Sequence, residues 1–159
     1  MTSTPATTPA ALDEQQCCLA LDSLDALGRM RWGLDQFGDG FALTTSFGIQ
    51  AAVSLHLISQ LDRSVPVIWV DTGYLPPETY HYAETLIELL GLQVHVAQAQ
   101  LSPARMEALH GRLWETGHVE DMETYLRIRK VEPLDRAMEA LAVRCWASGV
   151  RGRQTDHRS

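Results

Sequence analysis

Long apolar runs are missing: nothing in the 159 residues approaches the roughly 20 consecutive apolar positions of a bilayer-spanning helix. A membrane protein is not expected. Positive charge is scarce, with 13 Lys and Arg against 20 Asp and Glu and a formal net charge of −7. Nucleic-acid binders show the opposite balance, so no nucleic-acid partner is expected, and an anionic ligand must be met by a local cluster of cations. Cysteine is limited to three positions, of which Cys17 and Cys18 are adjacent; this is no disulfide framework. The Thr, Ala and Pro stretch from Met1 to Ala11 has neither a basic residue nor an apolar segment of signal-peptide type. A reducing cytoplasm is therefore the expected location. Two common nucleotide fingerprints are also absent: there is no Gly-rich loop ending in Lys-Ser/Thr and no dinucleotide-binding glycine triplet. A P-loop kinase and an NAD enzyme are both unsupported.

What is present is one domain. Residues 1–11 are expected to be a disordered tail, and residues 12–159 a single folded unit. Leu21, Leu24, Leu27 and Leu34 fall near a helical stripe, which predicts a helix from about Leu12 to Phe37, ended by Gly38-Asp39-Gly40. A short strand, Phe41 to Thr45, and a helix, Ile49 to Leu61, follow. The alternation repeats: strand Val65 to Val70, helix Pro77 to Leu90, strand Gln93 to Val96, then a helix from Ser102-Pro103 to about Trp114. A helix from Pro133 to Leu141 and a strand from Val143 to Ser148 close the series. This order predicts an α/β fold, a parallel sheet with helices on both faces.

In such a sheet ligands collect at the carboxyl ends of the strands, which singles out three segments. Thr44 to Gln50 offers backbone N–H groups and hydroxyls at the start of a helix, with Gly48 permitting a close turn; it is either an anion loop or an ordinary strand-to-helix turn. Asp71-Thr72-Gly73 brings a carboxylate, a hydroxyl and a flexible backbone to the same rim, or is a turn in which Asp71 caps the next helix. Ser148 to Ser159 concentrates cations: Arg144, Arg151, Arg153 and Arg158 lie within the last 16 positions, with Arg127, Arg129 and Lys130 upstream. Arginine forks match phosphate and sulfate oxygens, although a solvated C-terminus would look the same.

Taken together, Ser46-Phe47-Gly48-Ile49-Gln50, Asp71-Thr72-Gly73-Tyr74-Leu75-Pro76-Pro77-Glu78-Thr79-Tyr80, Lys130-Val131-Glu132-Pro133-Leu134 and Gly149-Val150-Arg151, with Gln154 and Arg158, resemble in order and spacing the assimilatory sulfonucleotide reductases. The likeness runs from about Leu24 to Ser159. It implies an adenine-nucleotide α-hydrolase (HUP-type) fold in which Ser46, Phe47 and Gly48 hold the phosphosulfate region and Asp71, Thr72 and Gly73 line the nucleoside pocket. Lys130, Arg151 and Arg158 are implied as anion-binding cations, and Gly149 as a point of close approach.

Within this family, relatives that reduce adenosine phosphosulfate carry a four-iron cluster, with a cysteine pair just before the Arg-Lys-Val-Glu-Pro segment. Tyr125 and Leu126 occupy those slots here, and three cysteines cannot supply four thiolates. No metal or iron-sulfur cluster is therefore expected. The resemblance points to the branch that reduces phosphoadenosine phosphosulfate with thioredoxin, possessing one reactive cysteine and forming a homodimer in relatives. That cysteine stands in a Glu-Cys-Gly-Leu-His segment beyond the position of Ser159. The chain is thus expected to be C-terminally truncated, to keep the nucleotide-binding part and to lack its nucleophile; Cys145, in a predicted strand, is expected to be inert. The usual Arg-Arg-Glu-Gln-Ser is Arg151-Gly152-Arg153-Gln154-Thr155 here, and Arg158 is one residue from the end. The alternatives are a non-catalytic module binding sulfonucleotide or adenosine bisphosphate, and an adenosine phosphosulfate reductase without its cluster. An AMP-forming pyrophosphatase would need Ser-Gly-Gly-x-Asp-Ser where Ser46 to Ala51 stands.

Overall fold

A computed structural model describes residues 13–149; the expected tail, Arg151, Arg153, Gln154 and Arg158 lie outside the described residues. The first expected helix is two. Helix α1 covers Glu14–Asp22 and α2 covers Ala26–Phe37. Asp25 separates them, because its carboxylate accepts from Gly28 N at 2.7 Å and caps α2, an alternative backbone partner that an uninterrupted helix would not need. A 3-10 turn at Gly38–Gly40 then leads into β1, Phe41–Thr45.

The remaining elements are α3 (Ala51–Leu61), β2 (Val67–Asp71), α4 (Pro77–Leu90), β3 (Val94–Gln98), α5 (Pro103–His110), α6 (Val119–Leu126), α7 (Glu132–Ala140) and β4 (Cys145–Ser148). Helix α4 has the expected bounds: Pro77 stands in its first turn, and Gly91 stops it with φ +62°, a left-handed conformation natural to glycine. Ser102 caps α5 as expected, accepting from Arg105 N at 3.2 Å, but that helix stops at His110 rather than Trp114. Strands β2 and β3 each begin and end one to two residues later than their apolar runs suggest.

The larger difference lies at the motif around Pro133. Helix α7 falls within one residue of the expected Pro133 to Leu141, but it does not start from a loop. Helix α6, absent from the sequence-based expectation, continues through a π-helical turn at Arg127–Val131 into α7. In a regular α-helix the Pro133 ring would clash with the carbonyl four residues earlier, that of Arg129. Widening the turn relieves this: Glu132 N donates to Arg127 O, five residues back, the bonding of a π-bulge.

All four strands are parallel, in the order β3-β2-β1-β4. Alternation along the strands separates two cores. Phe41, Leu43, Val67 and Trp69 face Met30, Leu55, Ile58 and Ala83 from α2, α3 and α4. Ala42, Ile68 and Ala97 face Ala137 of α7. Helices therefore cover both faces, as expected for this class. From β1 the chain builds outward to β2 and β3, then returns to add β4 on the other side of β1. The order reverses between β1 and β4, and such a reversal opens a crevice at the strands' carboxyl ends.

Candidate functional site

The loop after β1 enters that crevice. Ser46, Gly48, Ile49 and Gln50 are exposed, whereas Phe47 is buried at 2% exposure. Its ring meets Trp69 edge-on, with centroids 4.9 Å apart. The sharp bend falls on Phe47 (φ +49°) and not on Gly48. This conformation costs a non-glycine residue energy, which the buried ring offsets and the Phe47 N–H bond to Thr45 Oγ1 (3.1 Å) helps fix. Phe47 thus anchors the loop from below while Ser46 and Gly48 face outward. Ser46 does not cap α3; the cap position is Gln50, without a side-chain bond.

The end of β4 meets this loop's helix. A Cβ placed on Gly149 would lie 3.5 Å from Ser54 Oγ in the first turn of α3, and Thr44 Oγ1 donates to Ala147 O at 3.3 Å. The structure therefore brings the Ser46 loop and Gly149 to one crevice. The two arginines expected to follow Gly149 lie outside the described residues.

Beyond β2, polar groups are saturated by one another. Asp71 Oδ1 accepts from Gly73 N (2.8 Å) and the Tyr80 hydroxyl (2.8 Å), and Oδ2 accepts from Gln98 Nε2 (2.7 Å). Burial alone would push its carboxyl up, but the donors from Gly73, Gln98 and Tyr80, with the Arg129 charge, outweigh this and hold it below the usual carboxylate range. Asp71 does not cap α4, whose cap position is Pro76. Thr72 is buried, and its hydroxyl accepts from Tyr74 N at 3.3 Å. Gly73 has φ +75°, and a Cβ there would fall 2.7 Å from Pro103 and 2.9 Å from Arg129; only glycine fits.

Arg129 closes the region. It is 2% exposed. Its Nε donates to Thr72 O at 2.8 Å and its Nη1 to Leu101 O, while the guanidinium lies 5.2 Å from the centre of the Tyr74 ring. Tyr74 packs against Trp114 and Tyr125. Its hydroxyl donates to Glu107 Oε1 at 3.0 Å, and burial together with that bond and the Glu107 charge pushes its pKa up to about 12. A cleft of about 250 Å³ is lined by Asp71, Gly73, Gln98, Ser102 and Arg129 among others. Lys130, next to Arg129 in the π-turn, is exposed.

Cys145 opens β4, paired in register with Phe41, whereas Ser148 at the far end pairs with Thr44. At about 3.3 Å per residue, three residues put its backbone about 10 Å from the crevice end of the strand. Burial, then the nearby Cys17, pushes its thiol pKa up, which disfavours the thiolate. Cys17 and Cys18 belong to α1.

Sequence reasoning missed Tyr80, Gln98 and the particular role of Arg129. Tyr80 could have been found, since nine residues after Asp71 places it one turn into α4. Arg129 could not be told from Arg127, because a π-turn shifts the helical phase between them.

An open parallel α/β sheet of the adenine-nucleotide α-hydrolase type, with its crevice at the β1/β4 reversal, is the class that fold and geometry define. A family model for the phosphoadenosine phosphosulfate reductase domain matches residues 40–159, and the chain belongs to that family. A phosphoadenosine 5'-phosphosulfate reductase from Synechococcus sp. is 55% identical over 129 residues, covering 81% of this chain and 56% of the relative. Its counterpart from Synechocystis sp. is 49% identical over 138 residues, covering 87% and 55%. The chain thus spans a little over half the length of these curated relatives. Among solved structures, a phosphoadenylyl-sulfate (PAPS) reductase from Candida auris, in a phosphate complex, superposes with a TM-score of 0.77 at 26% identity, covering 92% of this chain and 72% of that one.

Proposed function

We propose that this chain binds phosphoadenosine phosphosulfate in the β1/β4 crevice and supplies the substrate-holding part of its reduction to sulfite. The observation that carries this reading is the convergence of the outward-facing Ser46 loop, the first turn of α3, whose cap position Gln50 makes no side-chain cap bond among the described residues, and Gly149 at the sheet's reversal point. Hydroxyls and N–H groups at a helix start suit a sulfate or phosphate oxygen. The phosphate complex of the Candida auris relative supports an oxyanion site in this fold. In our reading Ser46 and Gly48, held in place by the buried Phe47, hold the phosphosulfate; Thr72 and Gly73 border the nucleoside; Lys130, Arg151 and Arg158 neutralise the phosphates.

In the reaction a thiolate attacks the sulfate sulfur, the bond from sulfur to the phosphate oxygen breaks, and adenosine 3',5'-bisphosphate leaves with the electron pair. The resulting S-sulfonate is cleaved by the dithiol of thioredoxin, which supplies two electrons, becomes a disulfide and releases sulfite. The thiolate comes from outside these 159 residues, since Cys145 lies at the wrong end of β4 and Cys17 and Cys18 lie on α1. A cluster-free route is supported by Tyr125, which packs against Trp114 and Tyr74 where cluster-bearing relatives have a cysteine. Three free thiols suit a reducing cytoplasm.

Calorimetry with adenosine 3',5'-bisphosphate tests the site: binding is expected, weakened about tenfold by Lys130→Ala, consistent with loss of a charge-assisted contact. No heat of binding to the folded chain would remove the proposal. With phosphoadenosine phosphosulfate and reduced thioredoxin, the chain alone is expected to release no sulfite; turnover abolished by Cys145→Ser would overturn the assignment of the thiolate.

A further inference from the structure

Lys130 is the only lysine in the chain, and its neighbour Arg129 is a buried cation that the proposed reaction does not use. We infer that Arg129 is a positioning residue for the nucleotide site: through the π-turn imposed by Pro133 it joins the loops after β2 and β3 and fixes the Thr72-Gly73 wall. This rests on the substrate reading above.

Three observations carry it. The guanidinium bridges carbonyls that are 29 residues apart in sequence, Thr72 O and Leu101 O, so it connects two loops that share no strand. It also leaves no room for a side chain at Gly73 and lies against the Tyr74 ring, and therefore shapes the loop on both sides of Gly73. Finally, the π-turn packs against β2 and carries Arg129 inward while Lys130 stays exposed. Removing the π-bulge would change the phase by about 100°, one residue of an α-helix, and turn Arg129 away from both carbonyls. A buried cation is retained only where its donors are satisfied. Here the satisfied donors are spent on the geometry of the candidate site's wall.

The 159-residue chain is titrated calorimetrically with adenosine 3',5'-bisphosphate as wild type, Arg129→Lys, Lys130→Ala and the double variant, well below each melting temperature. Lysine keeps the charge but cannot form the planar fork. Arg129→Lys should weaken binding about tenfold, and the double variant should lose less than the product of the two single effects, because the two are consecutive residues of one π-turn. A purely structural role would lower the melting temperature and leave the coupling absent. Pro133→Ala, which permits a regular helix, should also weaken binding. Wild-type affinity in folded Arg129→Lys, or multiplying effects in the double variant, overturns the inference. If Arg129→Lys does not fold, Pro133→Ala decides in its place: weakened binding by the folded variant supports the inference and wild-type affinity sinks it. Failure of the wild type itself to bind instead removes the substrate reading, a result distinct from wild-type binding with an unaffected Arg129 variant.

Discussion

The loops that follow β1 and β2 leave adjacent strands at the same rim, yet they treat their polar groups in opposite ways. After β2, both carboxylate oxygens of Asp71 are occupied by Gly73, Tyr80 and Gln98, and Thr72 is tied to Tyr74 and Arg129. After β1, the ring of Phe47 is buried while Ser46 and Gly48 face outward. One loop is tied down by side chains from several elements; the other is held by its buried ring and two local bonds, Phe47 N to Thr45 Oγ1 and Ala51 N to Gly48 O, and leaves Ser46 exposed. A tied wall on one side and exposed polar groups on the other is the combination that a preorganised anion site requires.

That contrast can be broken most strongly at Phe47. Phe47→Ala should cost about 3 kcal/mol of stability in urea unfolding, by analogy with other buried aromatic truncations, because it removes the loop's sole buried ring. A loss under 1 kcal/mol would show that the ring is no anchor. Next comes Asp71. Asp71→Asn should cost about 2 kcal/mol, since all three donors lose a charged acceptor and one oxygen becomes an amide nitrogen that cannot accept. The wild-type carboxyl titrates below its ordinary value, so its contribution is present at neutral pH and is lost as pH falls below about 4. The acid limb of the stability curve should therefore be shallower in Asp71→Asn; identical limbs would place the acid-sensitive group elsewhere. The smallest effect is expected at Ser46. Ser46→Ala should leave stability within about 0.5 kcal/mol while weakening adenosine bisphosphate binding several-fold. A stability loss as large as that of Asp71→Asn would erase the distinction between the loops.

Much of this was legible in the sequence because apolar runs and helix signals report local physics. Phe41–Thr45 and Pro77–Leu90 matched at both ends, the latter because a proline and a glycine bracket it. The split between α1 and α2 was not, since the leucine stripe continues across the break and only the Asp25 side chain interrupts it. The α6 helix and its π-turn were missed for a different reason: Pro133 usually marks a helix start, and here the chain accommodates it by widening the turn before it. At the site, residue identity pointed to the loops after β1 and β2, but not to how each uses its polar groups. The burial of Phe47 and the inward turn of Arg129 depend on packing partners far away in sequence, Trp69 for one and Thr72 and Leu101 for the other.

The stack beneath the first loop has an optical consequence. Trp69 is 3% exposed, lies between Phe47 and Tyr80, and its Nε1–H has no hydrogen-bond partner among the described residues. An indole in so dry a setting emits at shorter wavelength than one in water, whereas Trp146, 56% exposed on β4, emits to the red. Because Phe47 is both the floor of the Ser46 loop and a wall of the Trp69 pocket, any ligand that displaces that loop is reported by the blue edge of the protein's own fluorescence, with no label attached.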